Sequence, residues 1–320
     1  MKLLGIDTSN YTTSCAFLDT DTRTVLQCKQ LLPVPPGQAG LRQSDAVFHH
    51  TRQLPVLIGQ LAADAGGSLP ADAAGVSVSP RNAEGSYMPC FLAGKAAASV
   101  LASANRIPLH ETSHQTGHIL AALYSADQLR WLMPDQEPFL AFHVSGGTTD
   151  CVRCLPDAEN VLRIEPCSES LDLKAGQAVD RVGLMLGLQF PCGPALEQLA
   201  MQSTSRKKMQ VKLRNGCCSL SGLQNQCEAQ RKQGVPAADI AAYCLNSVAA
   251  VIAAMAKDAA AKTGCKRIQF AGGVLSDLLI QNQLRALPFE TAFAAPEFSC
   301  DNAAGIAVYA AWKEAGVCPF

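Results

Sequence analysis

The chain has little charge and almost no net charge. Of its 320 residues only 17% are charged, and 26 basic against 27 acidic side chains leave −1 at neutral pH. That balance excludes a basic coat for nucleic acid, while permitting a local basic patch. A membrane-spanning run is also missing. The most apolar stretch, Ala241 to Ala256, contains Asn246 and Ser247 and is shorter than the ~20 residues a spanning helix needs, so it reads as buried helix. Signal-peptide features are absent at the start, where Lys2 is the only early positive charge and Asp7 ends the apolar stretch. A cytoplasmic protein with no membrane partner is the expectation. Fourteen cysteines are present, but only one Cys-x-x-Cys, at Cys151 and Cys154, in an expected strand. A zinc ribbon needs a second pair and a thioredoxin motif opens a helix, so reduced, chemically idle thiols are expected. What is there is apolar, 48% hydrophobic, enough to fill two domains or one large α/β unit.

The first thirty residues read as a meander: strands over Lys2 to Asp7, Thr13 to Leu18 and Thr24 to Leu32, with a polar turn at Thr8-Ser9-Asn10. A helical segment follows from about Ser44 to Ala63, interrupted at Pro55. A short buried strand is expected at Gly75 to Ser79, and a small-residue helix at Phe91 to Ala104. The meander recurs with Leu140 to Ser145, a Gly146-Gly147 turn, and Thr148 to Leu155. Shifted by 136 residues, Leu4 falls on Leu140, Ser9 on Ser145, Thr12-Thr13 on Thr148-Thr149 and Cys15 on Cys151, which predicts a duplicated architecture. A third strand, Arg267 to Phe270, runs into Ala271-Gly272-Gly273-Val274. Such glycine turns offer backbone N–H groups to a phosphate or ribose.

Three histidines, His110, His114 and His118, recur at spacing four. On a helix His114 and His118 share a face and can aim both imidazoles at one ion. Gly117 between them leaves room for a ligand to approach. No glutamate follows the first histidine, so the peptidase form of this motif is missing. A carboxylate from elsewhere would complete the site, with Asp301 a candidate. Five cations, Arg206, Lys207, Lys208, Lys212 and Arg214, crowd the most polar part of the chain. They read as a solvated face, or else as contacts to a phosphate backbone.

These residues resemble a known family. Gly5-Ile6-Asp7-Thr8-Ser9, His114-x-x-Gly-His118 and Val144-Ser145-Gly146-Gly147 are similar to motifs of the tRNA N(6)-adenosine threonylcarbamoyltransferases, formerly called O-sialoglycoprotein endopeptidases or glycoproteases. The likeness continues in order through Ala175-Gly176, Asp180, Pro191-Cys192-Gly193-Pro194, Ser219 to Leu223, Ala271 to Val274 and Asp301-Asn302. It implies an α/β protein of the actin-like, Hsp70-like ATPase fold, with two ribonuclease-H-like domains and a nucleotide cleft between them. The domains are expected at 1–108 plus 301–320, and at 109–300 with the metal histidines and adenosine loop. It further implies one divalent metal, iron or zinc, on His114, His118 and Asp301. An adenine nucleotide or threonylcarbamoyl-adenylate would be held by His143, Val144, Ser145, Gly146, Gly147, Asp180, Gly193, Gly272, Gly273 and Asp277. The implied reaction passes a threonylcarbamoyl group to the N(6) amine of the adenosine beside the tRNA anticodon. The implied partners are tRNA and small accessory subunits, including a paralogous actin-like one.

The chain departs from the family pattern, as a divergent paralogue would. Tyr11 and Thr12 replace two acids, Gln177 replaces a glutamate and Gln224 a lysine. Ser79-Pro80-Arg81-Asn82 stands for a Gly-Pro-Gly segment, two extra residues follow His110, and Asp277 stands where the family usually has asparagine. Asp277 is expected to face the ribose hydroxyls. The alternatives to an active transferase are a non-catalytic scaffold subunit that binds nucleotide and metal, and the metallopeptidase of the old family label.

Overall fold

A computed structural model describes residues 1–9, 11–34 and 41–320. Asn10, expected in the first turn, lies outside the described residues. Two five-stranded sheets organise the chain. In the first, β1 (Lys2–Ser9), β2 (Thr12–Asp19), β3 (Thr24–Leu31), β4 (Ala73–Ser79) and β5 (Leu109–Ser113) take the order β3-β2-β1-β4-β5. In the second, β6 (Phe139–Val144), β7 (Thr149–Asp157), β8 (Val161–Glu169), β9 (Arg267–Ala271) and β10 (Glu290–Phe293) take the order β10-β9-β6-β7-β8. Each meander is thus followed by two strands added on the far side of its first strand, and the order is the same twice. The register repeats as well. Ile6 pairs with Cys15 and Phe142 with Cys151, the same offset of 136 on both strands. The duplication read from the sequence is therefore carried at the level of individual hydrogen-bonded pairs.

The first unit comprises residues 1–136, 156–162 and 300–320. Its helices are α1 (Gln43–Asp64), α2 (Phe91–Asn105), α3 (His114–Ser125) and, at the end of the chain, α9 (Ala304–Ala315). Strand residues alternate between faces. Leu4, Ile6, Cys15 and Phe17 pack with Leu54, Leu57 and Leu61 of α1 and Ala98 of α2. The intervening Gly5 lies against α9, where an added Cβ would stand 2.7 Å from the Ala307 nitrogen. Alternation therefore puts Asp7 on the α9 face, at the end of β1. Two sequence expectations fail here. Helix α1 runs through Pro55 without interruption. The unit boundary falls near 136 rather than 108, because β5 pairs with β4 and α3 packs on α9, which keeps the histidines in the first unit.

The second unit comprises residues 137–155 and 163–299. Its helices are α4 (Ala175–Met185), α5 (Gly193–Ala200), α6 (Ser221–Lys232), α7 (Ala237–Thr263) and α8 (Leu278–Arg285). Leu140, Phe142 and Val144 of β6 face a core of Leu196, Leu245, Val248 and Ile252. Phe142, Phe270 and Phe293 stack across β6, β9 and β10 with ring centroids 5.4 and 4.9 Å apart. Helix α7 is long and apolar enough to cross a membrane, but 67% of its apolar window is buried inside the protein. It is the central core helix the sequence predicts. All fourteen cysteines are free, and thirteen of them are buried or half-buried.

Candidate functional site

The first candidate site is assembled where α3 begins. Ser113 caps this helix, accepting from the Thr116 N–H, and Pro80 accepts from the Gln115 N–H at 3.0 Å. The departure at Ser79 to Asn82 thus serves the helix start, and Asn82 also donates to Thr116 Oγ1. His110 does not join the pair. It lies on β5 and pairs with Glu314 at 2.6 Å, because the spacing of four crosses a strand–helix boundary. Gly117 has another task than the one expected. A Cβ there would come within 2.6 Å of Ile306 Cδ1, and one on Gly305 would overlap the Gly117 carbonyl oxygen. The glycines let α3 and α9 cross closely, and that crossing carries Asp301 to the histidines.

The three side chains converge. His114 Nε2 and His118 Nε2 lie 2.9 Å apart, and Asp301 Oδ1 is 3.5 and 3.2 Å from them. One ligand atom from each falls within 4.8 Å of the others. Behind them, Asp7 Oδ2 accepts from His114 Nδ1 at 3.1 Å, and Ser77 donates to the other Asp7 oxygen. A carboxylate on Nδ1 fixes the tautomer and leaves Nε2 turned toward a shared ion. Thr12, where the family has an acid, donates to Asp301 Oδ2 at 3.1 Å and so holds that carboxylate in place without adding charge. Burial works against a charged His114, but Asp7 and Asp301 outweigh it and push its pKa up to about 10. Burial likewise opposes ionised Asp7 and Asp301, yet His114 with Ser77 holds Asp7 low, and both imidazoles hold Asp301 well below the usual carboxylate range. A buried and a half-buried carboxylate facing two imidazoles suit a cation, and two histidines with one carboxylate are a donor set that iron and zinc both accept. The residues fit the metal the resemblance implies. Asp7 was read as the end of an apolar strand and as part of a family motif, without a role beside the histidines; the signal for that role was an acid closing an apolar run.

The second candidate site lies within the second unit. A cavity of about 460 Å³ is lined by Ser145, Gly146, Gly176, Asp180, Gly193, Gly273 and Asp277, among others. That volume suits a small-molecule ligand. Its floor is a set of close backbone approaches. Gly272, at φ +104°, passes so near the Val144 carbonyl that no Cβ fits, and a Cβ on Gly176 would stand 2.6 Å from the Gly146 nitrogen. Ser145 Oγ accepts from the Gly147 and Thr148 N–H groups, closing the turn. Gly146, Gly193 and Gly273 instead have open space where a Cβ would be. Asp180 accepts from the Cys192 N–H at 2.9 Å, which anchors the segment leading into Gly193.

Of the expected nucleotide residues, the structure brings Ser145, Gly146, Asp180, Gly193, Gly273 and Asp277 to one cavity wall. His143 and Val144 sit on β6 and are not among its lining residues, while Gly147 donates to Ser145 Oγ within the turn and Gly272 packs against the Val144 carbonyl. Asp277 is the N-cap of α8, its Oδ1 accepting from the Ile280 N–H at 3.0 Å. Asparagine and aspartate are equally good caps, which explains how the exchange is tolerated. Burial, with Glu197 nearby, pushes Asp277 up to about 6. Glu197 was not foreseen; it lines the same cavity and accepts from the Leu278 N–H at 2.7 Å. Gln177, the other departure, accepts from the Lys174 N–H at 3.3 Å at the start of α4.

Residues 36–308 match the family described as TsaD: tRNA N6-adenosine threonylcarbamoyltransferase. The chain belongs to that family. A relative from Aromatoleum aromaticum, named tRNA N6-adenosine threonylcarbamoyltransferase, is 32% identical over 98% of this chain and 92% of its own length. Among solved structures, full-length HypF in its phosphate- and nucleotide-bound form is similar at a TM-score of 0.58 and 12% identity, over 96% of this chain and 45% of that one. Component A of the Acidaminococcus fermentans (R)-2-hydroxyglutaryl-CoA dehydratase is similar at 0.55 and 17%, over 98% and 99%. These likenesses show the fold, the actin-like ATPase architecture expected from the sequence.

Proposed function

We propose that the chain transfers a threonylcarbamoyl group from threonylcarbamoyl-adenylate to the N(6) amine of the adenosine beside the anticodon of a tRNA. The observation that carries this reading is the family match along most of the chain. The donor adenylate belongs in the second-unit cavity, whose open glycine positions admit a phosphate close to backbone N–H groups. Its carboxylates, Asp180, Glu197 and Asp277, can accept from ribose hydroxyls. His114, His118 and Asp301 would hold one divalent ion, iron or zinc, oriented by Asp7. When bound, such an ion supplies Lewis acidity at a carbonyl or phosphoryl oxygen. In the transfer, the adenosine amine bonds to the carbamoyl carbon, the bond to the adenylate phosphate breaks, AMP leaves, and the amine gives up a proton. A cytoplasmic setting and small accessory subunits, one of them an actin-like paralogue, belong to the same reading.

The test is mass analysis of tRNA nucleosides after incubation with the donor adenylate and the protein purified with whatever co-purifies. An adenosine heavier by the threonylcarbamoyl group is expected. Unmodified adenosine from a preparation that binds the adenylate would assign the chain to a binding subunit instead.

A further inference from the structure

Between α5 and α6 the chain runs from Gln202 to Asn215 without helix or regular strand pairing, apart from an isolated bridge at Arg214. Five of the 26 cations lie there and none of the 27 acids. Arg206, Lys207, Lys208, Lys212 and Arg214 are all exposed, and among the described residues none of the five has an ion-pair partner. From Lys208 to Arg214 burial alternates residue by residue. Met209, Val211 and Leu213 turn onto the core while Lys208, Gln210, Lys212 and Arg214 turn out. This is the period of an extended segment, which displays its outward side chains about 6.5–7 Å apart.

The segment is held, not loose. Asn246 and Ser247, the two polar residues in the apolar stretch of α7, are nearly inaccessible to solvent. Asn246 Nδ2 donates to the carbonyls of Ser205 and Lys207, and Ser247 Oγ accepts from the Met209 N–H at 2.9 Å. Asn246 Oδ1 is taken by Gln283 of α8 at 2.8 Å, and Ser203 donates to Asp239. Buried polar groups in a core helix are costly unless bonded, and here their bonds go to fixing this strap. The residue before them, Leu245, lines the cavity described above, so one helix supports both features.

We infer that this strap is a docking surface for the phosphate backbone of RNA, which places the tRNA on the second unit. The inference rests on the proposed function for the identity of the RNA. Its outward face, from Gln202 to Asn215, offers no exposed aromatic or large aliphatic side chain. A protein partner needs an apolar interface centre, and lysine is depleted from such centres. Without aromatic platforms the strap does not read bases; it neutralises phosphates and sets position.

The experiment is tRNA binding across a salt series, comparing the wild type with a Lys208→Gln/Lys212→Gln/Arg214→Gln variant. Each phosphate contact contributes about 0.7–0.9 to the slope of log K against log salt, so the variant's slope should be shallower by about 2–3. Adenylate binding, measured in parallel, should be unchanged. An unchanged slope overturns the strap as an RNA surface whatever the nucleoside test shows. A shallower slope upholds it even where no adenosine is modified, which separates its fate from that of the transferase reading. Poly-glutamate binding that is lost in the variant, with the tRNA slope intact, would overturn RNA in favour of an acidic protein.

Discussion

The end of β1 and the end of β6 occupy equivalent places in identical registers, yet one is surrounded by charge and the other by backbone. Thr13 and Thr149, 136 residues apart and both fully buried, each spend their hydroxyl on a helix: Thr13 on Gln53 of α1, Thr149 on the first N–H of α4. Beyond that shared frame the two diverge. At the end of β1 stands Asp7, wrapped by Ser77 and His114. At the matching position of β6 stands His143, followed by a turn that α4 and Gly272 approach closely. A duplicated scaffold holds the backbone constant, and the side chains at one strand end then decide whether it is ringed by charged groups or by close backbone.

Breaking the charged half should cost most. His114→Ala leaves Asp7 buried without its partner. Unfolding in denaturant should show a loss of about 3–5 kcal/mol, the cost typical of an orphaned buried charge. Elemental analysis should find the metal gone; full stoichiometry in that variant would remove His114 from the ligand set.

A subtler break is Asp7→Asn, which keeps a hydrogen-bond acceptor on His114 Nδ1 but removes its charge. Metal affinity should fall by about 10–100-fold, the usual effect of an outer partner. Equal affinity by competition with a chelator would leave Asp7 a purely structural residue.

The backbone half is broken by filling space. A Cβ at Gly146 meets no atom within 4 Å and needs no left-handed backbone, so for Gly146→Val unfolding should shift little. Adenylate affinity by calorimetry should nevertheless drop by at least about tenfold, because a side chain would occupy the cavity that a ligand phosphate needs. Gly147 is not part of the cavity lining, so Gly147→Val should have the weaker effect.

The smallest effect is expected at Asp277→Asn. The cap survives, so stability at pH 7 should change by no more than about 1 kcal/mol. The pH dependence is the sharper readout. Asp277 is raised to about 6 in the folded chain, so the proton it binds stabilises the fold fully below the ordinary carboxylate pKa and is lost as the pH rises through 6. The wild type should therefore gain stability relative to the asparagine variant between pH 7 and 4. Parallel curves would mean that Asp277 titrates as an exposed carboxylate.

Much of this was legible in the residues. Alternating apolar strands, the glycine turns and the 136-residue echo specify a duplicated α/β fold, because strand periodicity and turn chemistry are local properties. The pair His114 and His118 was legible because helical spacing alone puts both imidazoles on one face. His110 misled for the same reason, since spacing does not reveal where a strand becomes a helix. The roles of the departures were hidden. Thr12, Gln177 and Asp277 looked like losses from a reaction centre, and each turned out to satisfy a neighbour: Asp301, the start of α4, and the start of α8.

By itself, then, the order of residues determined the two meanders, the buried core helix α7 and the histidine pair. These depend on contacts within a few residues or on the period of a single element. Only the tertiary structure decided that Asp301 reaches the histidines, that Asp7 stands behind them, and that Asn246 and Ser247 hold the basic strap. Each of those joins groups from distant parts of the chain, Asp7 and His114 being 107 residues apart. What brings them together is helix-on-helix and helix-on-sheet packing, set by small residues such as Gly117 and Gly305, whose partners no local pattern names.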